Sequence, residues 1–145
     1  MIALIQRVTE ASVVIAGERV ADIGPGAMVL VGVRAADAEA NAQKLCQRLL
    51  SYRMFADENG KMNLDIQQSG GELLLVPQFT LAADTKSGRR PGFSTAAPPT
   101  EASSLFDYFC SLAVAAGRDV QRGRFGADMA VSITNDGPVT FWLEA

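Results

Sequence analysis

Two short segments of the chain combine residue types that chemistry can use. Gln78-Phe79-Thr80-Leu81 sets an amide, an aromatic ring, a hydroxyl and an apolar side chain in succession, just after an apolar run that ends in Pro77. Asn135-Asp136-Gly137-Pro138-Val139-Thr140 joins a glycine, free to take positive φ, to a proline, the residue that admits a cis bond. On composition alone the first also reads as a strand continuing past a bulge, and the second as an ordinary hairpin turn. Whatever either does is done without imidazole, because the chain has no histidine. That removes Ser-His-Asp and Cys-His catalysis, helix-borne HExxH zinc sites and any imidazole proton shuttle. Carboxylates, hydroxyls, amines, thiols and the backbone remain.

Few other residues compete for a chemical role. Cys46 and Cys110 lie among apolar neighbours and read as buried free thiols of a reducing compartment, with no basic or helix-start setting to lower their pKa. A disulfide stays open at this point. Gly24-Pro25-Gly26 is too short for a phosphate loop and carries no Lys-Ser/Thr pair. Asp57-Glu58 falls in a turn and reads as solvated, and there is no EF-hand spacing, so no metal and no cofactor are expected.

The elements that must position these segments follow from periodicity. The opening reads as a hairpin of two strands, with Ile2 to Val8 followed by Val13-Val14-Ile15 ahead of Ala16-Gly17-Glu18. Ala27 to Val33 and Glu72 to Val76 are too continuously apolar for strands with a wet face and read as central. Between Asp37 and Arg53 the period is helical, with Ala42, Leu45, Cys46, Leu49 and Tyr52 on one face. Pro77 must end its strand, bulge it or lie at an edge. Residues 83–99 form a long polar loop of the kind that is usually functional or mobile. Thr100 predicts the N-cap of a second helix that carries Leu105, Phe106, Phe109, Leu112 and Ala113 inward and closes at Gly117. Strands return at 129–134 and 139–143. With no repeat or linker, 1–145 reads as one α+β domain, a curved or barrel-like, mostly antiparallel sheet flanked by two main helices, rather than a repeating βαβ fold.

Composition adds limits. The 145 residues carry 13 Lys and Arg against 16 Asp and Glu, a net charge of −3, which argues against a protein that coats nucleic acid. No leader pattern and no membrane-length apolar run are visible, so a cytoplasmic protein is expected.

Taken together, Gln78-Phe79-Thr80-Leu81, Asn135 to Thr140 and the opening Met1-Ile2-Ala3-Leu4-Ile5-Gln6-Arg7-Val8 closely resemble the D-aminoacyl-tRNA deacylase family. Gly60 to Leu64, Ala82 to Thr85, Gly123-Arg124-Phe125 and Ala127-Asp128-Met129 fit the same pattern, in family order, through to Phe141-Trp142-Leu143. The resemblance implies a homodimer that hydrolyses the ester between a D-amino acid, or glycine, and the terminal adenosine of tRNA. It assigns catalysis to Phe79 and Thr80, and substrate binding and chiral selection to Gln78, Gly137, Pro138 and Arg7. In such an enzyme the Gly137-Pro138 pair is cis and enters the partner subunit's pocket, its carbonyls rejecting an L side chain, while Arg7 locks its orientation. An aminoacyl ester is already activated, so a site that orients water and stabilises an oxyanion suffices. The N–H groups of Phe79 and Thr80 are the candidate donors, with the vicinal ribose hydroxyl assisting proton transfer; Thr80 as nucleophile is the weaker alternative, for want of a base. The family motif commonly begins with Ser where this chain has Pro77, and activity is expected to survive that change. Two alternatives stand beside the enzyme: a non-catalytic dimer that binds aminoacyl-tRNA or an amino acid, and a related deacylase with a trans Gly137-Pro138 bond and shifted specificity. Lys86-Arg89-Arg90 and Arg118-Arg122-Arg124 read either as solvated surface or as a grip on the acceptor end of tRNA.

Overall fold

A computed structural model describes residues 1–145. Eight strands and three α-helices follow in the order β1 (Ile2–Ile15), β2 (Glu18–Ile23), β3 (Gly26–Gly32), α1 (Glu39–Leu50), β4 (Phe55–Ala56), β5 (Met62–Leu64), α2 (Ile66–Ser69), β6 (Glu72–Pro77), α3 (Pro99–Ala115), β7 (Val120–Arg122) and β8 (Ala130–Glu144), with a 3-10 turn at Phe79–Ala82 after β6.

β1 organises the sheet. On one side it pairs with β3 through Ile2–Val8 and with β2 through Ala11–Ile15; on the other it pairs with β8 along nearly its whole length, always antiparallel. One strand serving two neighbours in succession has to bend, and that bend curves the sheet into a nearly closed barrel. β3, β6 and β7 extend it with parallel pairings, which makes the sheet mixed. α1 and α3 are carried in the β3-to-β6 and β6-to-β7 connections, so two βαβ crossovers sit where the sequence suggested none.

Two cores result. On the helix side Ala3, Ile5, Val29, Leu73 and Leu75 pack against Leu45 and Leu49 of α1 and Phe106 and Phe109 of α3. Inside the curve Val8, Val13, Ile23, Met28, Leu74 and Val76 pack on one another. Successive residues of β6 serve opposite cores, which is why its sequence is apolar without alternation.

Several expectations need correction. The opening is one continuous strand; the hairpin joins β1 to β2 through Ala16 and Gly17, both at positive φ (50° and 82°). α3 begins at Pro99 with Pro98, not Thr100, in the capping position; proline suits the first helical turn because its missing N–H is unpaired there anyway. Asn135–Pro138 is not a hairpin turn: Ile133 pairs with Ala11 and Phe141 with Ile5, so the chain runs on in one direction along β1. The small β4–β5 sheet, α2 and the 3-10 turn had no clear periodic signal.

Candidate active site

β6 ends at Pro77 because its neighbour has already ended. Gln78 N–H donates to the Val31 carbonyl on β3 at 2.8 Å, whereas Gly123 N–H donates to Leu75 at 2.8 Å on the opposite side. Pro77 therefore turns its ring nitrogen toward β7, beyond that strand's last pair, and its missing N–H deprives no partner. Gly123 makes room for the ring: a Cβ there would lie 3.2 Å from Pro77 Cδ and 2.8 Å from Met129 Sδ. The next four residues wind into the 3-10 turn, whose bonds run from Leu81 N–H to the Gln78 carbonyl and, at its close, from Ala83 N–H to that of Thr80. The N–H groups of Phe79 and Thr80 precede the first such donor and have no acceptor within the turn. Gly32 lets the turn dock, since a Cβ there would lie 2.9 Å from Leu81 Cβ.

The side chains of this turn are open. Phe79 is 53 % exposed and stacks at a tilt on Phe93, ring centroids 5.1 Å apart. Thr80 Oγ1 accepts a hydrogen bond from Gln78 Nε2 at 2.6 Å. An amide cannot take up a proton at neutral pH, so the group that orients the Thr80 hydroxyl is no base. Gln78, Phe79 and Thr80 thus come together as an orienting amide, an exposed ring and two unengaged N–H donors.

The second segment is a closed bulge in β8. Between the pairs Gln6–Thr140 and Val8–Asn135, β1 has only Arg7 while β8 has the four residues Asp136 to Val139. Asn135 ties the bulge at its base, accepting from Val139 N–H at 2.7 Å and donating Nδ2–H to the Val139 carbonyl at 3.1 Å. Arg7 holds it from across the ladder: Nε donates to the Asp136 carbonyl at 3.1 Å and stands 3.2 Å from Asp136 Oδ2, and Nη1 donates to the Met54 carbonyl at 2.8 Å. The Gly137–Pro138 bond is cis, and Gly137 has φ +134°, where a Cβ would lie 2.7 Å from Val139 Cγ2 and 3.2 Å from Arg7 Nη2. Gly137 and Pro138 are exposed, on an edge strand that pairs only with β1. Arg7, Gly137 and Pro138 are therefore one unit.

The two units do not meet within one chain by their register. Pro77 pairs with Val31, Val31 with Ala3, and Ala3 with Leu143, while the bulge lies opposite Arg7. Three strand spacings across and four residues along separate them by roughly 20 Å over the sheet surface. Concavities of about 210, 410 and 440 Å³ are lined by other residues.

The thiols take no part. Both cysteines are free and buried; burial raises the Cys46 pKa and pushes that of Cys110 up to about 12. No group of three or more His, Cys, Asp or Glu is placed to hold a metal, and no helix is long and apolar enough to cross a membrane.

These two units lie on a chain whose residues 4–144 match the family model described as D-Tyr-tRNA(Tyr) deacylase. The chain belongs to the D-aminoacyl-tRNA deacylase family. With that membership comes the enzyme class, a hydrolase acting on D-aminoacyl-tRNA in the proofreading of translation. It is 60% identical to the D-aminoacyl-tRNA deacylase of Cronobacter sakazakii and 58% identical to that of Aeromonas hydrophila, each over 144 residues and 99% of both chains. Among solved structures it is similar to the c-Myc DNA Unwinding Element Binding Protein, with TM-score 0.94, 37% identity and coverage of 100% of this chain and 99% of the other. A structure described as "a probable eukaryotic D-amino acid tRNA deacylase" shares the fold, with TM-score 0.86 and 18% identity over 99% and 98% of the two chains.

Asn135, Gly32, Phe93 and Gly123 also shape the site of this family member, beyond the residues expected from the sequence. Asn135 stood in the quoted motif, and an Asx residue opening a glycine-proline segment signals a side chain that bonds its own backbone. Gly32 closes an apolar strand, where glycine marks close approach by another backbone. Gly123 stands in the Gly123-Arg124-Phe125 stretch that fits the family pattern, but it and Phe93 act through residues distant in sequence, which no local spacing announces.

Proposed function

We propose that this deacylase works as a homodimer in which the Gly137-Pro138 bulge of one subunit closes the Gln78–Leu81 turn of the other. The observation that carries the reading is the sheet register, which holds the two units about 20 Å apart over one subunit's surface yet leaves both exposed, the bulge on an edge strand. A second copy supplies the missing half by two-fold symmetry.

In the joined site the D-aminoacyl ester of tRNA sits with its carbonyl oxygen toward the N–H groups of Phe79 and Thr80, while water attacks the carbonyl carbon. Negative charge develops on that oxygen, the tetrahedral intermediate collapses, and the 2′- or 3′-oxygen of the terminal ribose leaves with a proton. Fixed backbone donors aimed at the developing charge are suited to this, because they need no reorganisation during the reaction. The neighbouring ribose hydroxyl carries the proton that no histidine is present to move. Gln78 orients the Thr80 hydroxyl, and Phe79 with Phe93 offers an apolar floor. The partner's Gly137 and Pro138 carbonyls occupy the space an L side chain would need, so D-aminoacyl and glycyl esters enter and L-aminoacyl esters do not. The enzyme acts in the cytoplasm and requires no metal or cofactor.

The test is hydrolysis of D-Tyr-tRNA, L-Tyr-tRNA and Gly-tRNA by the purified protein with EDTA, beside its mass in solution. Turnover of the D and glycyl substrates by a dimer is expected. Equal turnover of L-Tyr-tRNA would overturn the chiral filter, and full activity in a monomer would overturn the shared site.

A further inference from the structure

The longest stretch outside helix and strand, residues 83–98, is tied down at its base. Asp84 and Gly92 exchange both backbone hydrogen bonds, at 2.7 and 3.0 Å. The Thr95 hydroxyl donates to the Ala82 carbonyl, and Ala35 N–H donates to the Thr95 carbonyl at 3.1 Å. What stays free is the tip, Thr85 to Pro91.

That tip carries Lys86, Arg89 and Arg90, all exposed and none in an ion pair. The nearest carboxylate in sequence, Asp84, uses Oδ1 to accept from Lys86 N–H at 3.0 Å. Three of the chain's 13 cations are thus gathered and left unpaired in a protein of net charge −3. In the other basic group Arg122 pairs with Asp107 at 2.9 Å and Arg118 is half-buried, which leaves Arg124 alone exposed and outside any ion pair.

Position gives the tip its meaning. Phe93 follows Gly92 directly and stacks on Phe79, so the cationic tip and the reactive turn share one surface. Arg90 lies within ~10 Å of chain from Phe93. We propose that Lys86, Arg89 and Arg90 grip the backbone phosphates of the single-stranded end of the tRNA. This rests on the reading of the turn as the hydrolytic site. A substrate whose ester carbonyl lies on the turn must lead its polynucleotide away across the adjoining surface, and this tip offers the unpaired cations there. The overall negative charge then repels nucleic acid elsewhere, which favours engagement by the end alone.

The experiment compares D-tyrosyl-tRNA with D-tyrosyl-adenosine, which keeps the ester and ribose but has no phosphate. In the variant Lys86→Ala/Arg89→Ala/Arg90→Ala, KM for the tRNA substrate should rise on the order of tenfold at low salt with kcat held. The slope of log kcat/KM against log salt should become shallower by about 2, as three lost single-strand phosphate contacts require. Hydrolysis of D-tyrosyl-adenosine should not change, and Arg89→Lys/Arg90→Lys should keep the parental slope. Unchanged KM and slope on tRNA, with the parent hydrolysing both substrates, would overturn the phosphate grip alone. Equal losses on both substrates would also overturn it, because the tip would then act through the turn. A parent protein that hydrolyses neither substrate would overturn the underlying reading of the turn.

Discussion

A hydroxyl becomes a nucleophile only when something takes its proton, and the one hydrogen-bond partner of the Thr80 hydroxyl is the Gln78 amide. The Thr80 backbone N–H, in contrast, is free at the start of the 3-10 turn. Thr80→Ala should therefore lower kcat for D-Tyr-tRNA by less than about tenfold, whereas a covalent role would cost several thousand-fold; single-turnover rates decide. Gly137 poses the opposite case, in which a missing side chain matters. Its φ of +134° and the 2.7 Å approach of Val139 Cγ2 leave no room for a Cβ. Gly137→Ala should cost ~1–3 kcal/mol of stability through backbone strain and displace the bulge against Arg7. Thermal melting and the ratio of D- to L-Tyr-tRNA turnover are the readouts. A variant that melted earlier yet rejected L-Tyr-tRNA fully would move the filter to another residue.

Between elements, what positions the turn is a close approach rather than a strong bond. The end of β3 meets the 3-10 turn at Gly32, and Gly32→Ala would push Leu81 Cβ from 2.9 Å. A shift of even a few tenths of an ångström moves the Phe79 and Thr80 N–H groups off the oxyanion, and one lost donor of this kind costs about 10²–10³ in kcat. Gly32→Ala should thus lower kcat at least tenfold with a fold intact by circular dichroism; an unchanged kcat would show that the turn is held elsewhere. The same scale explains what was legible in the sequence. Apolar runs such as Glu72–Pro77 announce strands buried on both faces, and the helical period of α1 and α3 is plain, because each signal is local. Asn135–Pro138 has the composition of a turn, and only its pairing with the same strand on both flanks makes it a bulge. The parallel placing of β3, β6 and β7 is likewise a property of distant partners. Of the site, the motif residues were legible through resemblance and Asn135 carried a local signal for its bonds to Val139, but the contact of Phe79 with Phe93 was not legible, since nothing in the spacing encodes it.

For the molecule as a whole, the question is whether one chain contains a complete site. Its edge strand β8 is fifteen residues long, nine of them exposed, with Trp142 among these and the bulge at its centre, a surface that proteins usually cover or blunt. If two copies share sites across this face, lesions on the two units must complement each other. One chain carrying Gly32→Ala damages the turn, and another carrying Asn135→Ala opens the base of the bulge. Each homodimer should lose most of its D-Tyr-tRNA hydrolysis. A heterodimer, isolated by a different tag on each chain, has one site with both lesions and one with neither, so it should recover about half of the parental rate per dimer. Were turn and bulge of the same chain to act together, every site in the heterodimer would carry one lesion and nothing would be recovered. The two arrangements predict opposite outcomes from the same protein, so this measurement reads directly which subunit each half of the site comes from.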